Sequence, residues 1–375
     1  MSTSKKGPFR YDVVGSFLRP NSVKEARKQF EEGVITKAEL RSVEDEAIRD
    51  LVDKEIAAGL QAVTDGEFRR AYWHLDFLEA LDGVEQVKAD QWSVAFKGHQ
   101  PKAATLEITG TIDFTDHPFL NDFAFLRDAV GERAVPKITI PSPSMLHLIC
   151  CVREEQYEPI PQYENQERLF QDIANAYRKA IHAFYEAGCR YLQLDDTSWG
   201  EFCDEEKRKV YAARGLDVDA IGRKYVEVIN YALADKPADL AVTMHICRGN
   251  FRSTWFSSGG YEPVANILFA HCNVDGFFLE YDSDRAGGFT PLRFINKQKV
   301  VLGLVTSKFP ELENVDDIKA RIEEAALYVP KEQLALSPQC GFASTEEGNN
   351  LTEEEQFAKL ALIKRVAQEV WPDAE

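Results

Sequence analysis

The stretch LAVTMHICRGN, residues 240–250, joins an unbroken apolar run to two side chains of the kind that bind metals. Successive residues of a strand point to opposite faces, so His245 and Cys247, two apart, share a face and can reach one ion. A short apolar run that ends in reactive side chains is typical of a strand in a parallel α/β barrel, whose chemistry lies at the carboxyl ends of its strands.

The chain carries seven other runs of this kind. The eight predicted strands are 11–17, 60–66, 134–143, 190–196, 240–247, 276–282, 299–307 and 334–342. Helical periodicity lies between them, at 22–58 with a break near Gly33, 164–187, 204–234 with a break near Gly215, 314–328 and 352–371. Eight alternating units are the number that a closed (β/α)8 TIM barrel requires. We therefore predict an α/β fold with one such barrel over residues 1–375, including N-terminal helices over 22–58.

An open, doubly wound sheet is the alternative, but it usually carries a glycine-rich phosphate turn after its first strand. The corresponding segment here, VGSFLRPN at 14–21, has a single glycine. One segment falls outside the strand–helix alternation. Residues 93–114 alternate polar and apolar side chains and contain glycines, which predicts an antiparallel β-hairpin inserted after the second strand.

Charge and composition narrow the class of protein. The 375 residues carry a net charge of -18, which disfavours nucleic acid and anionic membranes as partners because both select clustered Lys and Arg. No apolar run approaches the roughly 20 residues that cross a bilayer. The N-terminus MSTSKKGPFRYD lacks the hydrophobic segment of a secretory signal. Seven irregularly spaced cysteines fit reduced thiols better than a disulfide framework, so we predict a cytoplasmic enzyme.

Metal-binding residue types follow three of the predicted strands. Taken alone, His245 is more often a core histidine, and Cys247 a small buried hydrophobe. Glu280 closes the run GFFLE, where an acid would be buried without a partner, and Cys340 sits on a turn after LALSPQ. Sulfur, nitrogen and oxygen ligands together suit tetrahedral Zn2+, and a ligand that can be displaced makes such a site catalytic. We predict a zinc site formed by His245, Cys247, Glu280 and Cys340.

Polar residues at the other strand ends are candidates for binding a substrate. Ser16 in VGSFLRP could offer its hydroxyl to a small molecule or simply form a turn. Glu67 in VTDGEFRR would ordinarily form a surface ion pair with a neighbouring arginine. Asp195 and Asp196 end the run LQLDD, and one of them could cap the next helix. Two acids at the end of a buried strand either place like charges in a pocket or hold a cation.

These strand ends resemble the catalytic barrel of cobalamin-independent methionine synthase. The matching segments are VGSFLRP (14–20), VTDGEFRR (63–70), LQLDD (192–196), MHICRGN (244–250), FFLEYD (277–282) and SPQCGF (337–342). The likeness covers nearly the whole chain and is greatest to the short, single-barrel bacterial members. The H-x-C pair, an acid 33 residues further on and a cysteine 60 beyond that make it specific.

The resemblance implies an S-methyltransferase that moves a methyl group from 5-methyltetrahydrofolate or another donor to the thiol of homocysteine, forming methionine. It implies that the four predicted ligands bind zinc. It also implies that Ser16, Glu67 and Asp195 hold the carboxylate and ammonium groups of homocysteine, with Asp195 counted among the catalytic residues. An ammonium group in a pocket needs anionic partners, which gives the acids at the strand ends a purpose.

Three departures from the family pattern concern the methyl donor. Full-length members carry a second, N-terminal barrel-like half, whereas this chain is predicted to have one barrel. ITIPSPSMLH, residues 138–147, lacks the tryptophan on which the family stacks the folate pterin, and Trp73, His74 and Trp199 are candidates for a replacement aromatic surface. Lys308 of GLVTSKFPELE occupies the place of a histidine that assists the leaving group. A folate, a methyl-corrinoid and a small methylated metabolite all remain possible donors.

Two other functions compete with methionine formation. One is alkylation of a different thiol, as in the related epoxide:coenzyme M transferases, whose sulfonate substrate calls for a basic pocket. Glu67 and Asp195 disfavour that reading. The other is a non-catalytic barrel that binds zinc or thiols, in which four protein ligands stay on the metal when thiol is added.

Overall fold

The computed structural model describes residues 6–88, 96 and 104–374. Its strands are β1 (Ala62–Val63), β2 (Asp82–Lys88), β3 (Ala104–Asp113), β4 (Val135–Pro141), β5 (Tyr191–Asp196), β6 (Ala241–Ile246), β7 (Gly276–Glu280), β8 (Lys299–Val305) and β9 (Leu334–Pro338). Seven of them form one curled parallel sheet in the order β1-β4-β5-β6-β7-β8-β9. The α/β fold is therefore barrel-like, as predicted.

Helices cover this sheet. They are α1 (Asn21–Glu31), α2 (Lys37–Ala57), α3 (Leu75–Leu78), α4 (Pro118–Val130), α5 (Ser144–His147), α6 (Gln166–Glu186), α7 (Ser198–Cys203), α8 (Glu205–Ala213), α9 (Val218–Leu233), α10 (Glu262–Leu268), α11 (Val315–Ala325) and α12 (Glu353–Val370). A π-helical turn spans Leu148–Val152, and 3-10 turns span Pro161–Tyr163, Asp284–Ala286, Thr290–Phe294 and Lys331–Gln333. Within the described part of the chain, no helix combines the length and apolarity needed to cross a membrane.

The first predicted strand, 11–17, is not a regular strand. It makes a single parallel bridge, between Tyr11 and Leu336 of β9. Further on, the amide of Phe17 donates to the carbonyl oxygen of Gly66 at 3.0 Å, beyond the end of β1. Between these contacts Gly15 has a φ of +152°, and a Cβ there would lie 2.6 Å from the Thr139 methyl group. The segment thus runs between the two edges of the sheet, but its bend at Gly15 interrupts the hydrogen-bond ladder.

The hairpin predicted over 93–114 is not confirmed. Residues 104–113 do form a strand, β3, but it pairs antiparallel with β2 at 82–88, with Glu85 opposite Glu107. Residues 93–103 lie outside the described part of the chain, except for Phe96. The partner strand escapes sequence reasoning because β2, DGVEQVK, has one buried residue, Val84, and hence little apolar alternation.

The predicted helices are confirmed, including both breaks. The stretch 22–58 divides into α1 and α2 around Gly33, whose φ of +71° suits glycine. Thr36 then begins α2 with a capping box, in which its side chain accepts from the Glu39 amide and the Glu39 carboxylate accepts from the Thr36 amide. Five helices were not predicted from the sequence, namely α3, α4, α5, α7 and α10.

The strands that carry the candidate site lie in the deepest part of the core. Every residue of β5, β6 and β7 is buried. Strands covered on both faces have no polar side to present, which explains their continuous apolar runs. Their carboxyl ends meet at one edge of the sheet, so the polar residues that end them are brought together.

Candidate metal centre and substrate pocket

The four predicted metal ligands converge. His245 is the fifth residue of β6, and Cys247 is the first residue after that strand ends. Glu280 is the last residue of β7, and Cys340 is the second residue after β9. One donor atom from each of His245, Glu280 and Cys340 lies within 4.8 Å of the others. The sulfur atoms of Cys247 and Cys340 are 3.7 Å apart, and His245 Nε2 lies 3.8 Å from Glu280 Oε1.

Strand register explains this convergence. His245 of β6 is paired with Phe278 of β7, so Cys247 and Glu280, each two residues further on, are level with each other. Glu280 is in turn paired with Gly303 of β8. A Cβ at Gly303 would lie 2.6 Å from the Cα of Gln339. The backbone that leads to Cys340 can therefore pack directly against β8 only because residue 303 has no side chain.

The electrostatics of the cluster separate its two thiols. The hydrogen bond with Cys340, together with burial, raises the pKa of Cys247 well above its usual range. Burial also opposes ionisation of Cys340, but its hydrogen bond with Cys247 and the charge of His245 lower its pKa. Burial would lower the pKa of His245, yet the hydrogen bond that its Nδ1 donates to Asp195 and the nearby charges of Cys340 and Glu280 raise it to about 9. Of the two thiols, Cys340 therefore loses its proton more readily.

The donor set fits a zinc ion. Two thiols, one imidazole and one carboxylate are the ligand types that Zn2+ takes in tetrahedral sites. All four side chains are buried, with at most 5% of their surface exposed. Glu280 Oε1 lies 3.8 Å from His245 Nε2, so this buried carboxylate can supply an oxygen ligand to the same ion, and a cation would offset the cost of burying its charge. The structure thus has a His/Glu/Cys cluster that could hold a metal.

The two acids that end β5 have different partners. Asp195 Oδ1 lies 3.3 Å from His245 Nδ1 and accepts from Gln193 Nε2 at 2.9 Å. Asp196 instead accepts from the Ser198 amide at 2.7 Å, at the start of α7, and from serine hydroxyls. Of the two acids, Asp196 is therefore the one that caps the next helix, a choice that the sequence left open. Asp195 is the acid beside the metal cluster.

Glu67 is buried, not the surface residue that its neighbourhood in sequence suggests. It adopts a φ of +61°, and its Oε1 accepts from Thr139 Oγ1 at 2.7 Å. Arg70 Nη1 lies 3.5 Å from the same oxygen, whereas Oε2 has no hydrogen-bond partner. Burial, aided by the charge of Asp195, raises the pKa of Glu67 to about 7 against the opposing effects of Arg70 and Thr139.

Ser16 lies against the loop that follows Cys340. Its Oγ accepts from the amide of Ala343 at 3.2 Å, and its carbonyl oxygen accepts from Phe342 at 3.0 Å. A Cβ at Gly341 would lie 1.8 Å from Ser16 Oγ, so this contact needs glycine. Ser16 is thus beside the metal cluster, and its binding of substrate stays a prediction.

Lys308 is also buried beside the cluster. Its Nζ donates to Asn250 Oδ1 at 2.7 Å, to Thr254 O at 3.0 Å and to Gly249 O at 3.2 Å. These three acceptors account for the three ammonium hydrogens. In this arrangement Lys308 anchors the loop that follows Cys247, and its catalytic role stays a prediction.

A small aromatic pocket reaches the cluster at Cys247. It is lined by Tyr72, Trp73, His74, Phe96, Arg153, Thr197, Cys247, Gly249, Asn250, Phe256 and Thr345. Trp73 and His74 stack with their ring centroids 4.4 Å apart, and burial, with Arg153 nearby, lowers the pKa of His74 to about 3. Trp199 is fully buried and packs on Phe202 instead.

Sequence reasoning picked out Trp73 and His74 but missed Arg153 and Phe256. The signal for the first pair is the aromatic run AYWH at 71–74, which directly follows the segment VTDGEFRR that contains Glu67. Arg153 follows a π-helical turn and is held by Glu201, 48 residues away. That pairing depends on tertiary structure and leaves no local pattern.

Comparison with known proteins places the chain in a family. The catalytic domain of cobalamin-independent synthases matches residues 9–369. The chain belongs to the cobalamin-independent methionine synthase family. This family consists of methyltransferases that use homocysteine and a methyl donor.

The chain is similar to family members over most of its length. It is 53% identical over 370 residues to YxjG, an uncharacterized protein of Bacillus subtilis, covering 98% of this chain and 96% of YxjG. It is 46% identical to a Listeria monocytogenes protein described as a candidate vitamin-B12 independent methionine synthase, with a TM-score of 0.78 and coverage of 98% and 99%. The methionine synthase of Pyrococcus abyssi is 24% identical, covering 88% of this chain and 85% of that enzyme.

All seven cysteines are buried and free of disulfide bonds. Cys247 and Cys340 belong to the metal cluster, and the others are Cys150, Cys151, Cys189, Cys203 and Cys272. Burial raises the pKa of each of these five, so they are poor nucleophiles.

Proposed function

We propose that this protein is a zinc-dependent S-methyltransferase that transfers a methyl group to the thiol of homocysteine and forms methionine. The observation that carries the proposal is the convergence of His245, Cys247, Glu280 and Cys340 at one end of the sheet, with Asp195 3.3 Å from His245. The methyl donor is a folate, a corrinoid or a small methylated metabolite. We assign the activity to one catalytic domain that spans the chain.

The chain's own residues would hold the metal in a defined state. Asp195 accepts the hydrogen of His245 Nδ1, so His245 would bind metal through Nε2, which lies 3.8 Å from Glu280 Oε1 and 3.2 Å from the Gln339 carbonyl oxygen. When bound, Zn2+ supplies the acidity that keeps a coordinated thiol deprotonated at neutral pH. Cys247 and Cys340 contribute two sulfur ligands, so the metal retains little net positive charge and a substrate sulfur stays electron-rich.

Buried acids support an amino-acid thiol as the substrate. Glu67 lies close enough for the charge of Asp195 to raise its pKa, so both carboxylates face one small region. An ammonium group there would satisfy the free Oε2 of Glu67. The sulfonate of coenzyme M would meet two acids instead, which disfavours the alternative alkyltransferase.

The proposed reaction is a simple substitution. The thiol of homocysteine releases its proton to solvent as it binds, and its sulfur then attacks the methyl carbon of the donor. A carbon–sulfur bond forms while the bond between the methyl group and the donor breaks, and the leaving atom keeps the electron pair. The buried cluster and the aromatic pocket beside Cys247 exclude water from this step.

X-ray absorption at the zinc edge tests the proposal. Purified protein loaded with zinc is expected to show two sulfur ligands, and homocysteine is expected to raise the number to three while one oxygen ligand is lost. Homoserine, which has a hydroxyl in place of the thiol, is the matched control and should leave the metal shell unchanged. A sulfur count that stays at two with homocysteine contradicts thiol activation, and protein that takes up no zinc contradicts the metal site.

The raised pKa of Glu67 predicts a pH-dependent affinity for the substrate's ammonium group. Glu67 is mostly protonated below its pKa of about 7 and ionised above it. Because only the ionised carboxylate attracts an ammonium group, the affinity should rise as the pH increases to 7 and then level off. Methionine is the suitable ligand, since its thioether does not titrate. We expect its Kd to be about tenfold higher at pH 6 than at pH 8.

Titration calorimetry in buffers of different ionisation enthalpy measures this effect. Below pH 7, methionine should release a proton from Glu67 on binding. Glu67→Gln should bind more weakly at pH 8 and show a flat profile between pH 6 and 8. A variant that keeps the slope and the proton release of the wild type would exclude Glu67 as the titrating group.

A further inference from the structure

The two oxygens of Glu280 face different partners. Oε1 lies 3.8 Å from His245 Nε2 and accepts from the Arg248 amide at 3.2 Å. Oε2 has no hydrogen bond and lies 3.6 Å from Arg285 Nη2. The Glu280 side chain is fully buried, so water does not compensate the free oxygen. One oxygen therefore belongs to the metal cluster, and the other points to a nearby cation.

Arg285 is held close to Glu280 without bonding to it. Its Nη2 donates to Asp282 Oδ1 at 3.0 Å, and its guanidinium group lies over the Trp255 ring, 4.6 Å from the centroid. Its carbonyl oxygen accepts from the Gly259 amide at 2.8 Å, which fixes the backbone. The Nε of Arg285 is buried and has no hydrogen-bond partner. The guanidinium group is thus preorganised and still has donor capacity.

The gap between Glu280 and Arg285 is small. A distance of 3.6 Å is too long for a hydrogen bond to a carboxylate, but a movement of roughly 0.7 Å would close it. Among the arginines that the structure describes, Arg285 is the one within ion-pair distance of Glu280. Arg248 instead lies over the ring of Tyr261, 4.6 Å from its centroid.

We infer that Arg285 receives the Glu280 carboxylate when a substrate thiol takes its place in the metal cluster. This inference rests on the proposed function, in which thiol exchange occurs at the metal. A carboxylate that leaves a cation inside the protein needs another cation, because an uncompensated buried charge is strongly unfavourable. Arg285 is such a cation, and a short movement of the Glu280 carboxylate brings the two groups into contact. The hydrogen bond to Asp282 keeps the guanidinium group of Arg285 in position. Arg285 is therefore a positioning residue for thiol exchange and touches neither metal nor substrate.

Arg285→Met tests the inference by a structural readout. The variant keeps the four metal ligands, so its zinc content should equal that of the wild type. The homocysteine concentration that gives half of the change from two to three sulfur ligands should rise roughly tenfold, because the displaced carboxylate loses a charge-assisted bond. Arg321→Met is the matched control, since Arg321 lies in α11 with its guanidinium group over the Phe289 ring, 4.9 Å from the centroid. It should behave as the wild type.

Arg285→Lys separates charge from folding. Lysine keeps the positive charge without the planar fork, so its half-point should fall between those of the wild type and Arg285→Met. Equal half-points in all three proteins would overturn the inference while leaving thiol activation intact. Loss of zinc from folded Arg285→Met would also overturn it, since Arg285 would then serve the resting ligand set. A wild type that gains no sulfur contradicts the proposed function itself.

Discussion

Cys340→Ala is expected to lower methionine formation on the order of 1,000-fold, more than the 10- to 100-fold typical of losing an outer-shell partner of a metal ligand. Cys340 is the thiol whose pKa is lowered, and it lies 3.7 Å from the sulfur of Cys247. Without it, the cluster loses a sulfur ligand, and of its two thiols the one that ionises more readily. The zinc content of the purified protein should fall together with the activity.

Cys272→Ala is the matched control for this variant. Cys272 is equally buried, but it precedes β7 at the opposite end of that strand from Glu280. Its loss should reduce stability slightly and leave zinc content unchanged. Methionine formation is measured with homocysteine and either 5-methyltetrahydrofolate or methylcobalamin, whichever donor the wild type accepts. Undiminished methionine formation by Cys340→Ala would contradict a role for the metal cluster.

The metal cluster could be predicted from the sequence because its determinants are local. Alternation along a strand places His245 and Cys247 on one face. An apolar run that stops at Glu280 marks the end of the next predicted strand, β7. Parallel pairing then brings all strand ends to one edge of the sheet, whatever the lengths of the helices between them. Four ligands on three strands therefore converge without any further information.

The features that escaped prediction depend on contacts between distant parts of the chain. Gly15 bends the first predicted strand because Thr139 leaves no room for a side chain. The partner of β3 is β2, which carries too little apolar alternation to be recognised. The pairing of Arg285 with Glu280 depends on how the loop after β7 turns back on itself. No periodic pattern in the sequence predicts any of these contacts.

Asp195 and Asp196 have different contacts, and we expect their substitution to have large but different effects on activity and stability. Both are buried and adjacent, yet they point to opposite sides of β5, as alternation along a strand requires. Asp195 contacts His245 and Gln193. Asp196 accepts hydrogen bonds from three serine hydroxyls and from the first turn of α7. Burial raises the pKa of Asp196, and these hydrogen bonds oppose the rise.

Asp195→Asn should therefore lower the catalytic activity, whereas Asp196→Asn should lower the stability of the fold. In Asp195→Asn the amide oxygen can still accept from Gln193, so the free energy of unfolding should change by less than about 1 kcal/mol. The loss of charge beside the substrate ammonium should lower kcat/KM for homocysteine about 100-fold, chiefly by raising KM. Urea unfolding and steady-state kinetics on both variants measure the two quantities.

Asp196→Asn should show the reverse pattern. An amide cannot accept from three hydroxyls and a backbone amide at once, so the free energy of unfolding should fall by about 3 kcal/mol. At a temperature where the variant is still folded, its KM for homocysteine should stay within about twofold of the wild type, because Asp196 faces away from the cluster. If Asp196→Asn raised KM as much as Asp195→Asn does, both acids would serve the substrate. The assignment of Asp195, but not Asp196, to the ammonium pocket would then be wrong.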